Sequence, residues 1–490
     1  MAEAAASGGA RRAAWIARGA LLLLCLLQFL PLLQGRGPAT REPRTDAYYV
    51  RKSEALVRTG SFEKPTERDL AVLRGDAPGQ SDFRPPGYPV FLALLGVTGE
   101  NWHGRDRLVA AVQLLAVFAC LGWILERAIG ALPPRGGIVA AVVLGVQPWT
   151  AEFAYHRAPD TLNAAIVFAG AVLAARAATA GSPGRRTALA AASAAALAVC
   201  SFLRPEMLAF APLVPGAGLW VLARREGRRA AAVPALAAAL VLAAAVGGHA
   251  AYRWTVFGER AVVGRFQPNA PGVARWLKTW TSTDGDLRGI RNVLVSGGRV
   301  RFDRIPDRAF ADDREREAVR AIVEDVARRG EYLPEHDGAF DRIAGDRVRA
   351  DPLANLVGTR LWSASALLLV PGHAVSPHAA KDLPPPVKRP IAWGLIGLRI
   401  LVLGAAAVAM GRVLRRPPGA GATAVDVVVL AGAAVAIVRV AWLGLGRGVL
   451  EHRYAVLLWP FLLLAAVAWL AQSPRSRWLG TRERSVDRTA

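Results

Sequence analysis

Apolar residues are gathered along this chain rather than alternated. Runs of about 17 to 23 residues rich in Ala, Val and Leu recur from end to end, the length a helix needs to cross the hydrocarbon core of a bilayer. They predict spanning helices near 15–35, 106–126, 136–154, 159–178, 186–203, 206–222, 231–252, 391–412, 424–445 and 453–472, about ten in all. A further apolar stretch, Leu356 to Val370, is only about 15 residues and reads as an interfacial or re-entrant helix. Two polar segments are long, from Gly35 to Arg105 and from Arg253 to Pro390. In the second, Val319, Ile322, Val323 and Val326 share one face of a helix over Asp312–Arg329, and Phe340, Ile343 and Val348 mark another helical stretch. The expected fold class is therefore an all-α polytopic membrane protein with an outer loop region of short helices. Its expected parts are a tail and first span (1–35), a first outer loop (36–105), a block of spans (106–252), a large outer loop (253–390), C-terminal spans (391–472) and a basic tail (473–490).

Composition fits this picture. The 490 residues are 53% hydrophobic, yet 61 Lys and Arg against 38 Asp and Glu leave a formal charge of +23. The arginines flank apolar runs or lie in one long polar segment, so they speak for orientation and anionic lipid rather than for nucleic acid. Arg11, Arg12 and Arg18 place the N-terminus in the cytoplasm; with ten spans, Arg185–Arg186, Arg224–Arg225, Arg228–Arg229, Arg412, Arg415–Arg416 and the tail from Arg475 to Arg488 fall on the same side. The Arg-rich front and short core of the first run also fit a secretory signal, but no A-x-A-like cleavage site precedes the polar segment. Cys25, Cys120 and Cys200 all lie inside apolar runs and read as small packing residues.

With that orientation, the residues able to do chemistry collect on the non-cytoplasmic side. Asp46, in Thr45-Asp46-Ala47-Tyr48-Tyr49, follows the first span, where partial desolvation suits a carboxylate to accept a proton; a helix N-cap is the plainer reading. In Phe83-Arg84-Pro85-Pro86-Gly87-Tyr88-Pro89 the prolines predict an extended, rigid path that presents Arg84 and Tyr88, and a guanidinium there offers a phosphate two parallel donors; a stiff re-entry of the chain is the alternative. His156, Arg157 and Asp160 crowd a tight turn that needs only Pro and Gly. Arg204-Pro205-Glu206 interrupts an apolar stretch, either as a functional pair or as a hairpin closure. His452, Arg453 and Tyr454 open the last span and add a second candidate anion contact. His-x-x-x-His, Cys-x-x-Cys, Walker and dinucleotide-binding patterns are missing, so neither a cofactor nor a metal is indicated, and a divalent ion is left open.

An acid after the first span (Asp46), an Arg-Pro-Pro turn (Arg84 to Tyr88), an Asp at an outer turn (Asp160), Arg-Pro-Glu (Arg204 to Glu206) and His-Arg-Tyr before the last span together resemble the polytopic GT-C glycosyltransferases. Their order is similar to that of the dolichyl-phosphate-mannose protein mannosyltransferases and the bacterial aminoarabinose transferase of lipid A. The resemblance implies transfer of one sugar, with inversion, from a polyprenyl-phosphate-linked donor to a glycan, lipid or protein acceptor at the extracytoplasmic face of the plasma (inner) membrane. It implies Asp46 as general base and Arg84 as the phosphate ligand, with Arg204 or Arg453 as helpers. The Asp-Glu pair of the family's first loop is Asp46-Ala47 in this chain. A polysaccharide polymerase or ligase, and a transporter or flippase of lipid-linked sugars, are the competing expectations.

Overall fold

The computed structural model describes residues 2–29, 43–62, 66–67, 70–71, 85–146, 154, 159–258, 270–281, 288–295, 297–298, 300–369, 385–415, 423–441 and 456–472. Among them the chain is helical and forms no strand, the all-α polytopic membrane architecture that the apolar runs predict. The bundle consists of α1 (Ala2–Leu27), α4 (Trp102–Ala131), α5 (Pro134–Val146), α6 (Asp160–Thr179), α7 (Pro183–Leu203), α8 (Met207–Phe210), α9 (Leu213–Glu226), α10 (Arg228–Phe257), α15 (Pro385–Arg415), α16 (Ala424–Val440) and α17 (Trp459–Gln472). Two further helices, α2 (Pro43–Thr59) and α3 (Gly87–Leu94), precede α4; α11 (Pro271–Trp280), α12 (Asp313–Arg329), α13 (Pro334–Ala350) and α14 (Thr359–Leu369) lie between α10 and α15.

Six stretches in the bundle are long and apolar enough to cross a membrane: 104–131, 160–179, 183–203, 207–226, 228–256 and 393–415. α1, α5, α16 and α17 occupy the remaining four expected positions; the first half of α1 is polar, and the other three are shorter over their described lengths. Helix ends fall several residues from those expected, because charged first and last turns continue a helix that hydropathy alone would stop.

α6 is the core of the bundle, packed against α4, α7, α9 and α16. Its alanines explain the close approach, since Ala164, Ala171, Ala174, Ala175 and Ala178 are all buried and let neighbouring backbones come near. A Cβ on Gly218 of α9 would stand 2.7 Å from the Ala174 carbonyl oxygen, so only glycine fits there. Val233, Leu236 and Leu240 of α10 are exposed and form a lipid-facing side.

Ion pairs fix which helix ends lie together. Arg18 donates to Glu126 at 2.7 and 2.8 Å, and Arg186 donates to Glu226 at 2.7 Å. The Arg225 guanidinium reaches the Ala178 carbonyl at 3.1 Å. Asp426 accepts from the Thr423 amide and hydroxyl and so caps α16.

The segment from Arg253 to Pro390 is more than a loop. Val273, Trp276, Leu277, Leu294, Val319, Val323, Val326, Tyr332 and Phe340 form a core of their own. α12 is the amphipathic helix expected: Asp312 caps it by accepting from the Glu315 amide at 2.7 Å, and Gly330, with φ of 68°, ends it. Glu315 ties three elements, accepting from the Trp276 indole at 2.9 Å and from the Ala311 amide at 3.0 Å, with Arg347 at 3.4 Å. Asp337 caps α11 by accepting from the Gly272 and Val273 amides and from the Tyr332 hydroxyl. The stretch expected to be interfacial is a π-helical turn, Leu353–Gly358, continued by α14; it contacts α11 and α15 and leaves Leu353, Val357 and Leu361 exposed.

Candidate functional site

The described parts of four of the five sequence segments singled out above meet at the bundle end opposite the Arg186–Glu226 pair. The joint is apolar: Tyr49 and Val50 of α2, Tyr88 and Leu92 of α3, Leu203 of α7 and Leu162 of α6 belong to one cluster. Tyr49 and Tyr88 pack edge to face, with ring centroids 5.1 Å apart, and Tyr88 stacks on Phe91 at 5.6 Å. Ser53 donates to the Val97 carbonyl at 2.7 Å and ties α2 to the turn before α4. Asp46 lies in the first turn of α2, one turn before Tyr49 and Val50.

The proline-rich turn differs from the extended path expected. Pro86 has φ −73° and ψ −20°, and Gly87–Leu94 is helical. Proline at the start of a helix removes an amide that has no intrahelical partner, so Pro86 and Pro89 are compatible with a first turn and do not force extension. The reason for Gly87 is tertiary: a Cβ there would lie 2.6 Å from the Phe202 carbonyl oxygen and 2.8 Å from the Leu203 nitrogen. That contact sets α3 against the last turn of α7, directly before Arg204. Tyr88 is fully buried, so in the fold it fills the base of the site rather than standing out from it.

Above this base lies an ionic cluster. The Arg204 guanidinium pairs with Asp160 through one nitrogen and with Glu206 through the other, at 3.3 Å. The Asp160 side chain is 3% exposed and that of Arg204 14%. The Arg-Pro-Glu segment therefore does more than close its own hairpin: Arg204 spans the start of α6 and the start of α8. Next to Asp160, Thr161 and Asn163 are buried, and neither Thr161 Oγ1 nor Asn163 Oδ1 has a hydrogen-bond partner among the described residues. Gln113 of α4 donates to the Ala154 carbonyl at 3.0 Å and keeps its own oxygen in reserve.

Arg84, His156, Arg157, His452, Arg453 and Tyr454 lie outside the described residues. The structure adds buried polar groups that sequence reading passed over: Lys52, Asp106, Ser201, His249 and Arg253, together with Arg399 in the interior of α15. Arg399 lies over the Trp459 ring at 4.8 Å. Arg439 is 1% exposed and lies 5.7 Å from the Phe210 ring centroid, so it points into the bundle. A lone ionisable residue in an apolar run was the available signal for His249 and Arg253.

Asp325, Glu335 and His336 of the outer unit approach one another closely enough to suggest cation ligands. Their donors are already engaged. The Leu333 amide donates to His336 Nδ1 at 3.0 Å, which leaves Nε2 to carry the proton and donate to Asp325 at 2.9 Å. Arg328 and Arg329 pair with Asp325, and Arg329 with Glu335, so this is an ion-pair network.

No protein-family model matches the chain, and no curated protein matches it. Among solved structures it is similar to the archaeal oligosaccharyltransferase AglB from Archaeoglobus fulgidus, in complex with an inhibitory peptide and a dolichol-phosphate. The identity is 12% and the TM-score 0.47, over 93% of this chain and 50% of that one. The chain spans about half the length of that structure.

Proposed function

We propose that this protein is a membrane glycosyltransferase of the GT-C type. It moves a sugar from a polyprenyl-phosphate carrier to an acceptor hydroxyl at the extracytoplasmic face of the plasma membrane, with inversion. The observation that carries this reading is the convergence of α2, the Pro86–Tyr88 turn, Asp160 and Arg204–Glu206 at one end of the bundle. They are remote in sequence, and ionisable groups at a membrane helix end are costly unless they serve a purpose.

In this mechanism the acceptor oxygen attacks the anomeric carbon as Asp46 removes its proton, and the bond from that carbon to the carrier phosphate breaks. Negative charge grows on the departing phosphate, where a preorganised guanidinium is most effective. Arg84 takes that role. Arg204, already shared by two carboxylates, holds the floor of the site and orients Glu206 and Asp160. The unsatisfied oxygens of Thr161 and Asn163 suit sugar hydroxyls, which bring the missing donors.

Replacing Asp46 by Asn and measuring sugar transfer from a polyprenyl-phosphate donor in membranes tests the assignment. Turnover is expected to fall by about 10²–10⁴-fold with donor binding retained. Unchanged turnover would remove Asp46 as the base. A flippase of lipid-linked sugars is a second reading, favoured by the buried Arg399 and Arg439 within the spans. Movement of the labelled carrier across a proteoliposome without any transfer would support it.

A further inference from the structure

We propose that His249 is a positioning residue of this site, an inference that rests on the glycosyltransferase reading for its effect on turnover but not for its effect on structure. His249 sits on α10, the helix with the lipid-facing side, yet it is only 4% exposed. Its ring lies flat on Phe202, with centroids 4.2 Å apart and planes inclined by 12°. Gly248 lies beside the same ring, where a Cβ would meet the Phe202 side chain at 3.5 Å, an ordinary contact distance. Phe202 is thus held twice, by its ring on His249 and by its carbonyl against Gly87.

A hydrogen bond completes the arrangement and assigns its direction. Ser201 has one hydroxyl proton and gives it to the Ala198 carbonyl at 2.6 Å. In the 3.0 Å contact between Ser201 Oγ and His249 Nε2 the serine must therefore accept, and Nε2 carries the proton. An imidazole in this tautomer does what neither a methyl nor a phenyl group can. It pins Ser201 from the side while it supports Phe202 from below. The chain leaves the helix two residues later at Arg204, whose guanidinium must reach Asp160 and Glu206 together. His249 fixes the last turn of α7, and that turn sets the reach of Arg204.

The test uses the full-length protein in nanodiscs, comparing His249→Leu, His249→Gln and Ser201→Ala with wild type. Glutamine returns an N–H donor near the position of Nε2, whereas leucine keeps bulk alone. His249→Leu is expected to speed amide exchange about tenfold in residues 200–208 alone, and to lower turnover about tenfold while the donor KM stays within about twofold. His249→Gln is expected to restore both to within about threefold, and Ser201→Ala to shift both in the direction of the leucine variant. Exchange and turnover unchanged in His249→Leu would overturn the proposal. So would loosening of the whole bundle that glutamine fails to rescue. A local, rescuable change in exchange, in a protein that shows no transfer even as wild type, would uphold the placement of His249 and overturn the glycosyltransferase reading.

Discussion

Arg204 holds two carboxylates that come from different helices, and its replacement separates two effects. Alanine leaves Asp160 buried without its cation, so thermal unfolding in detergent is expected to show a loss of about 3–5 kcal/mol. Lysine keeps the charge but offers a point rather than a fork, so it cannot satisfy both partners; turnover is expected to fall by about tenfold with a much smaller loss of stability. Gly87→Ala asks a different question. Its Cβ would collide with the Phe202 carbonyl, a backbone atom that cannot rotate away, so the substitution should cost about 1–3 kcal/mol and reduce transfer as α3 shifts. Sequence made the Arg-Pro-Glu break visible because charge inside an apolar run is conspicuous. It could not reveal that Arg204 reaches Asp160, since partners 44 positions apart meet only through packing. Gly87 looked like turn chemistry for the same reason: its neighbour is in another helix.

At the scale of elements, periodicity was a good guide wherever one face meets a core. α12 shows its buried valines at helical spacing, and the structure buries Val319, Val323 and Val326 as that spacing requires. α2 and α3 were illegible as helices, one because it is highly charged, the other because its prolines suggest extension. They are held by contacts with each other, and α3 by contacts with α7, rather than by their own pattern. The outer unit makes two predictions. Phe340 is fully buried against Trp276, so Phe340→Ala should destabilise this unit by about 3–5 kcal/mol, read as faster proteolysis between residues 270 and 350. The hydrogen bond from His336, with the charges of Arg329 and Arg328, holds the Asp325 carboxyl below the usual carboxylate range. A carboxyl whose folded value is lowered contributes its full stability above about pH 4 and loses it as the pH falls through that lowered value. Protease resistance of the unit should therefore drop at the acid end of a titration, and Asp325→Asn should flatten that drop.

For the whole molecule, the all-α membrane class was legible because a bilayer imposes one length on every crossing. Cysteines introduced at Asp46 and Ser182 are expected to be labelled from opposite sides of the membrane, and labelling of both from outside would refute the span count. The arrangement of the spans was not legible, since apolar helices look alike until small residues choose their neighbours. That choice puts α6 in the middle, and α6 begins with Asp160. The floor of the site is consequently built into the most enclosed helix of the bundle, while its walls, α2 and α3, pack mainly on each other. Access must then be timed from the walls. Hydrogen exchange should find the amides of α6 among the last to open and those of α2 among the first. A bulky acceptor would be admitted at the tempo of α2 and α3, however rigid the bundle beneath them.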